Sequence, residues 1–319
     1  MTSDHPAPPS PACRIEIGTD NEGQRIDNFL IGRLKGVPKS RIYRILRKGE
    51  VRVNKGRIRP DYRLKPGDTV RIPPLRLTER NPGRLLPALA RRLDEAVLHE
   101  DSNLLVINKP SGVAVHGGSG ISQGIIETLR AARPDARFLE LVHRLDRATS
   151  GCLVIAKRRS TLRVLHELLR REGIEKRYLA LVSGRWQGGS RRVAAPLRKN
   201  QLASGERVVR VDPTGKPSVS LFRPLVHYRQ ATLVEIRLLT GRTHQARVHA
   251  AHAGHPIAGD EKYGSPEFNR RMRADGLTRL FLHAHSLRFR LEPGGPPIRV
   301  EAPLEDELQA LLERIKRNS

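Results

Sequence analysis

A single carboxylate with an arginine on either side of it is the most chemically loaded feature of this chain. In His143-Arg144-Leu145-Asp146-Arg147-Ala148-Thr149-Ser150-Gly151, Asp146 is followed by a short polar turn and then by the apolar run Cys152-Leu153-Val154-Ile155-Ala156. That run has the length and composition of a buried strand, which puts Asp146 on a loop leading into the core. Loops held by a rigid scaffold are a common place for reactive groups. A nearby guanidinium favours the ionised carboxylate, and an ionised carboxylate can act as nucleophile or base. The same residues would also make an ion pair that merely fixes the loop, so spacing alone leaves both readings open.

The elements that must position Asp146 can be read from pattern. In the 319 residues, a net charge of +26 and a pI near 11.2 point to a polyanionic partner, either nucleic acid or an acidic membrane surface. No apolar run approaches the roughly 18–20 residues of a membrane span. Two distant cysteines, Cys13 and Cys152, make neither a disulfide framework nor a zinc pattern, and the default is a reducing, cytoplasmic compartment. Residues 1–13 read as a disordered tail rich in Pro and Ser. A first folded unit is expected over 14–74. Its helix runs from Pro38-Lys39-Ser40 to Lys48, with Ile42, Ile45 and Leu46 on one side, Arg41, Arg44, Arg47 and Lys48 on the other, and Gly49 as its stop. Residues 24–80 hold 17 Lys/Arg against 5 Asp/Glu, a local excess suited to a phosphate backbone. Residues 75–93 read as a linker with a short helical piece near 85–93.

A second unit is expected over 94–319. Its strands lie at 104–107, 152–156, 178–182, 208–211, 218–222, 232–239 and 280–289, and its helices at 121–130, 161–171 and 304–316. Strands outnumber helices without alternating with them, so the fold class is α+β. Gly117-Gly118-Ser119-Gly120 is a flexible loop but no phosphate loop, because no Gly-Lys-Ser/Thr closes it. His244, His249, His252 and His255 have spacings that a helix could turn into metal ligands. No carboxylate or cysteine joins them at ligand spacing until Asp260, so no metal site and no cofactor is assigned. By composition, Tyr178 reads as a strand aromatic, Arg247 as a helix-surface charge and Leu282 as core.

His143–Gly151 resembles the central His-Arg-Leu-Asp-x-x-Thr-Ser-Gly motif of one family of RNA pseudouridine synthases, with every fixed position matched. Four further segments resemble that family in its order: Asn108-Lys109-Pro110-Ser111-Gly112, Lys176-Arg177-Tyr178-Leu179-Ala180, Gly241 to His249, and Phe281-Leu282-His283-Ala284. The first unit is similar to an S4 RNA-binding domain. The resemblance covers roughly residues 14–317 and departs at Ala246, where the family has a larger aliphatic residue. It implies a mixed, mainly antiparallel sheet flanked by helices, and isomerisation of uridine to pseudouridine in large-subunit (23S) ribosomal RNA or its precursor by a monomer. It further implies that Asp146 is the catalytic nucleophile or base, that Arg247 pairs with it, and that Tyr178 packs on the target base. Leu282 would floor the site and Arg144 would fill the gap left by the departing nucleotide, with His143 beside them facing substrate. Lys39, Arg41, Arg44, Arg47 and Lys48 would bind RNA. Two other classes stay open on the residues alone: a non-enzymatic RNA-binding assembly factor, and a metal-dependent nuclease using the histidine stretch.

Overall fold

A computed structural model describes residues 12–34, 37, 39–75, 87–117, 124–201 and 207–317. Nearly all of the expected tail, most of the expected linker (76–86), residues 118–120 of the glycine-rich loop and the Lys39 side chain lie outside the described residues. The chain divides into two compact units, Met1–Leu85 and Leu86–Ser319.

The first unit contains β1 (Cys13–Glu16), α1 (Ile26–Arg33), α2 (Lys39–Arg47), β2 (Arg52–Val53), β3 (Gly56–Arg57) and β4 (Thr69–Ile72), with an antiparallel sheet in the order β1-β4-β2-β3. The helix α2 ends at Gly49, whose φ of +69° suits the left-handed stop. Ile42, Ile45 and Leu46 are buried, while Arg41, Arg44, Arg47 and Lys48 are exposed. Among the described residues none of those four cations pairs with a carboxylate, so their charge is offered to solvent or to a partner. Neither β1 nor α1 is visible in the sequence pattern, because α1 has apolar residues all round and β1 is short.

The second unit contains α3 (Pro87–Glu95), β5 (Val97–Glu100), β6 (Leu104–Lys109), α4 (Ile125–Ala132), β7 (Glu140–Leu141), β8 (Ser150–Ala156), α5 (Arg159–Arg170), β9 (Glu175–Ser183), β10 (Arg191–Ala194), β11 (Leu197–Gln201), β12 (Arg207–Val211), β13 (Val219–His227), β14 (Ala231–Leu238), α6 (Gln245–His252), α7 (Pro266–Ala274), β15 (Leu282–Phe289), β16 (Ile298–Glu301) and α8 (Asp306–Arg317). The helix expected inside the linker is α3. It belongs to this unit, since Leu93 is fully buried with Leu105 and Ile107. The helix expected to begin at Ile121 is described from Ile125. Gly124 precedes it as N-cap, where an added Cβ would stand 2.6 Å from the His116 backbone.

The main sheet runs β10-β13-β14-β9-β15-β8-β6-β5, with β16 on β15 and β7 on β8. Only the β15–β8 pair is parallel, so the expected mainly antiparallel α+β architecture is what the chain forms. The strand β8 is buried at all seven positions because both of its faces are covered. Leu153 and Ile155 pack with Ile125, Ile126 and Leu129 of α4. Cys152, Val154 and Ala156 pack with Leu165 of α5. On β9, Ala180 and Val182 meet Ala246 and Ala250 of α6. Ala246 is buried here, so a small side chain lets α6 lie close to the sheet.

Three adjacent central strands, β9, β15 and β8, bring the motifs together. His283 and Ala284 pair with Ser150 and Gly151. Gly151 has φ +107°, and a Cβ there would stand 2.3 Å from the Ala284 carbonyl oxygen. The glycine of the motif is thus required by a close strand approach. Replacing Gly151 with Ala should destabilise the second unit by at least about 2 kcal/mol, from backbone strain plus steric overlap. Denaturant unfolding followed in that unit measures the loss, and an unchanged midpoint would refute the account.

Candidate active site

The Asp146 loop is clamped from behind before any ligand arrives. Lys109, fully buried, donates from Nζ to the carbonyl oxygens of Pro110 (2.8 Å), Val113 (2.8 Å) and Arg147 (3.2 Å). Three acceptors match the three N–H donors of an ammonium. Burial pushes the Lys109 ammonium down to about 7, with Glu305 opposing. Ser111 Oγ donates to the Ala148 carbonyl (2.9 Å), and the Gly112 N–H donates to that of Arg147 (2.9 Å). Arg147, expected to flank Asp146, turns away and donates from Nε to Gly112 O at 2.7 Å. Thr149 closes the turn on the Asp146 carbonyl (3.0 Å), and Ser150 Oγ bonds buried His283 Nδ1 (2.9 Å). The segment Asn108–Gly112 therefore serves as the brace of the Asp146 loop.

Arg247 reaches Asp146 from α6, whose position is fixed by Gln245 and His249. Gln245 Oε1 accepts from Thr240 Oγ1 (2.7 Å) and the Arg242 N–H (3.0 Å), and its Nε2 donates to Val219 O (2.9 Å). His249 bonds Ser220 Oγ and Ala195 O, both at 2.9 Å. With α6 so anchored, Arg247 Nη1 stands 3.6 Å from Asp146 Oδ2. Arg247 also has a second carboxylate partner that the sequence pattern does not indicate. Its stronger bond is bidentate, to Asp260: Nε to Oδ2 and Nη2 to Oδ1, both 2.7 Å. The Asp260 side chain is 1% exposed, Arg247 11% and Asp146 21%, so the pair lies beneath and Asp146 lies at the cavity surface. Burial pushes Asp260 up, but the Arg247 hydrogen bond and charge hold it below the ordinary carboxylate value. Burial works against the Arg247 charge too, and Asp260 followed by Asp146 more than offsets it.

A second chain of contacts reaches Asp146 through His244, which caps α6 in the left-handed conformation at φ +56°. Its Nε2 is 3.7 Å from Asp146 Oδ2, and its Nδ1 is 2.7 Å from Tyr263 Oη. That oxygen accepts the Val209 N–H at 3.0 Å. With the phenol donating to Nδ1, the imidazole N–H sits at Nε2 and faces Asp146. Burial lowers the His244 pKa and the Asp146 charge opposes it, leaving it below the ordinary value. The Arg247 guanidinium lies 5.0 Å from the Tyr263 ring centroid, adding a cation–π contact.

A cavity of about 510 Å³ opens over these groups. Its lining includes His143, Arg144, Asp146, Lys176, Tyr178, His244, Arg247 and Leu282, so the residues expected for catalysis and substrate binding converge on one place. The volume suits a single nucleotide. Burial, then the Asp146 charge, pushes the Tyr178 phenol well above its ordinary value, which keeps it neutral. Leu282 is buried. Arg144 is exposed at the lining. His143 lines the cavity too, and its Nε2 accepts the Val154 N–H of β8 at 3.2 Å. Burial, with Lys176 adding to it, lowers His143 to about 4.

Sequence reasoning missed His244, Tyr263 and the ligation of Arg247 by Asp260. A signal was present in Gly259-Asp260 and Tyr263-Gly264, where two glycines bracket a carboxylate and a phenol. Both glycines are sterically demanded: a Cβ would stand 2.0 Å from Arg279 O at Gly259 and 2.0 Å from Asp260 O at Gly264. The histidine stretch resolves into separate contacts, with His255 Nδ1 donating to Ser183 O (2.8 Å) and His252 exposed. Among the described residues no group of three His, Cys, Asp or Glu is placed to hold a metal ion.

Comparisons with known proteins agree with this geometry. A family model described as RNA pseudouridylate synthase matches residues 103–252, and an S4 domain model matches residues 24–70. The ribosomal large subunit pseudouridine synthase C of Yersinia pestis is 57% identical over 307 residues, 96% of each chain. The protein of that name from Escherichia coli (strain K12) is 57% identical over 306 residues, 95% of this chain and 96% of its own. Among solved structures, human RNA pseudouridylate synthase domain containing 4 matches with a TM-score of 0.61 at 28% identity, covering 72% of this chain and 96% of that one.

The buried Arg247–Asp260 pair predicts a pH-dependent stability. Asp260→Asn should cost about 3 kcal/mol, because a buried guanidinium loses its counter-charge. Asp260 has a folded pKa below its unfolded one, so its contribution is present above the ordinary carboxylate pKa of ~3.9 and fades as pH falls below it. Unfolding of the two proteins at pH ~7 and ~3 should give a large difference at the first and a smaller one at the second. An equal difference at both would take the Asp260 charge out of the account.

Proposed function

The chain belongs to the RNA pseudouridylate synthase family, and from that premise we propose that it isomerises uridines of large-subunit ribosomal RNA to pseudouridine, with Asp146 as the reacting carboxylate. The observation that carries the site assignment is the meeting of Asp146, Arg247, Tyr178 and Leu282 in one cavity of nucleotide size. In the reaction the N1–C1′ bond breaks, the uracil turns, and C5 bonds to C1′. C5 gives up a proton and N1 takes one, so composition and oxidation state are unchanged and no cofactor is called for.

Asp146 is the nucleophile or base in this reading. Arg247, held by Asp260, favours its charge and direction. Tyr178 packs on the uracil as a neutral phenol, Leu282 floors the cavity, and Arg144 at the lining fills the space left by the extruded nucleotide. Flipping the base out costs a few kcal/mol, least where it already lies in a loop. His143 faces the substrate beside them, with its Nε2 tied to the Val154 N–H. In the first unit Arg41, Arg44, Arg47 and Lys48, with Lys39 by sequence, hold phosphates. The reading takes the enzyme as a monomer. A ribosomal RNA substrate, free or in a ribosomal precursor, supports a cytoplasmic enzyme. No described helix is long and apolar enough to cross a membrane.

Mapping pseudouridine in large-subunit ribosomal RNA from cells with and without this protein tests the proposal directly: sites that vanish with it support the reading, and an unchanged map refutes it. Asp146→Asn should abolish product while RNA affinity stays within a few-fold, because phosphate contacts carry the affinity. Stoichiometric product from the Asn variant in a single-turnover assay would defeat the assignment.

The first unit gives a separate expectation. Changing Arg41, Arg44 and Arg47 together to Ala should lower the log–log salt slope of binding by roughly 2–3, at about 0.7–0.9 per lost phosphate contact. The rate on saturating short RNA should change little. A salt slope equal to that of the unaltered protein would exclude these arginines from the RNA surface.

A further inference from the structure

Five cations and two carboxylates line the cavity: Arg144, Arg170, Lys176, Arg242 and Arg247 against Asp146 and Glu172. Most of the cations are spoken for. Arg247 is bound by Asp260, Arg170 donates to Glu167 on its own helix, and Arg242 Nε donates to Pro217 O at 3.2 Å. Arg144 is exposed, and a solvated arginine needs no partner. Lys176 differs from all of these. It is half-buried on β9, and among the described residues no hydrogen bond reaches its ammonium and no carboxylate comes within ion-pairing distance. The nearest opposing charge is Glu172, too far to form a pair, and burial lowers the Lys176 pKa. Its Nζ lies beside the Gly241-Arg242-Thr243 turn, 3.9 Å from where a Cβ on Gly241 would stand. Neighbouring His143 is neutral, so it neither competes for an anion nor supplies one.

A partly desolvated ammonium without a counter-ion costs free energy, and such groups collect at sites where a ligand supplies the missing charge. The register of β9 says where that charge would come from. Lys176 and Tyr178 are two residues apart and so share a face of the strand, roughly 6.6 Å from one another along it. A nucleotide's phosphate lies from its base on the same scale. We propose that Lys176 is a phosphate-binding residue of the site, its ammonium taking the phosphodiester next to the uridine that stacks on Tyr178. The inference rests on the uridine-isomerase reading and goes beyond it in one respect. The contact holds the extruded nucleotide by its backbone, in a place where the phosphate needs no sequence information to be recognised.

The test uses the full chain and RNA stem-loops bearing one neutral methylphosphonate in turn at each phosphodiester around the target uridine. With unaltered protein, one flanking position should cost roughly ten- to a hundred-fold in single-turnover rate at subsaturating RNA, the size of a lost charge-assisted hydrogen bond. Lys176→Met should lose the same factor on unmodified RNA and lose nothing further at that position, while other positions cost both proteins equally. Lys176→Arg should recover part of the loss. A scan in which no flanking methylphosphonate costs the unaltered protein about five-fold would overturn the inference without recourse to any variant. So would penalties that simply add in Lys176→Met at every position. Pseudouridine formed normally by unaltered protein in either case leaves the isomerase reading intact, whereas no product under any condition defeats that reading instead.

Discussion

Asp146 is held by a guanidinium that is itself already held, and the rest of the site follows from that order. A guanidinium offers a two-donor edge and a remaining nitrogen. Asp260 takes the edge, with both contacts at 2.7 Å, and Asp146 is left with Nη1 at 3.6 Å. At that distance attraction is strong but no hydrogen bond is made. A carboxylate bound bidentately to arginine would have its lone pairs turned inward. One held by charge alone keeps them for the cavity. Burial grades the three groups accordingly, with the Arg247–Asp260 pair beneath and Asp146 at the surface. His244 repeats the arrangement from another direction, at 3.7 Å and backed by Tyr263.

That balance needs an Asp146 backbone that does not drift. A shift of a fraction of an ångström would turn the loose contact into a bidentate bond or lose it. Lys109 ties the loop to the end of β6 through three carbonyls, and Ser150 with His283 ties the following strand to β15. Gly151 lets β8 and β15 approach closely enough for this. The buried lysine and the motif's glycine are therefore parts of one mechanical support, although they are far apart in sequence and neither faces the cavity.

What is legible in the sequence divides along physical lines. The apolar runs at 152–156 and 178–182 report burial, so β8 and β9 can be read as core strands. Asp146, Tyr178, Arg247 and Leu282 stand in motifs, and the fold brings them together. Polar contacts made across the fold leave no such trace. Asp260 and Arg247 are 13 residues apart on a loop and a helix, with no period linking them. Arg147, next to Asp146 in sequence, sits in the turn before β8 and points elsewhere, donating to the Gly112 carbonyl. Adjacency in the chain therefore overstates Arg147 as a charge partner. It also hides Asp260, whose spacing from the histidines suggests a metal ligand when its real partner is an arginine. His143 opens the motif and lines the cavity, and the pattern does not show that its Nε2 also accepts the Val154 N–H.

The strong positive charge and the Asp146 carboxylate work on different length scales. At physiological ionic strength the field of an exposed cation fades over roughly 8 Å. The exposed arginines of α2 suit the attraction of a phosphate backbone through solvent, whereas Asp146, in the other unit, answers to groups a few ångströms away. Inside the cavity the dielectric is lower and screening weaker, so Arg247 at 3.6 Å and His244 at 3.7 Å weigh most on that carboxylate. Affinity for RNA is thus free to vary with surface lysines and arginines while the chemistry stays fixed by a few buried contacts. A protein of net charge +26 thus holds the Asp146 carboxylate among five cations lining one cavity, with Arg247, the arginine in ion-pairing range of it, already bound bidentately by Asp260.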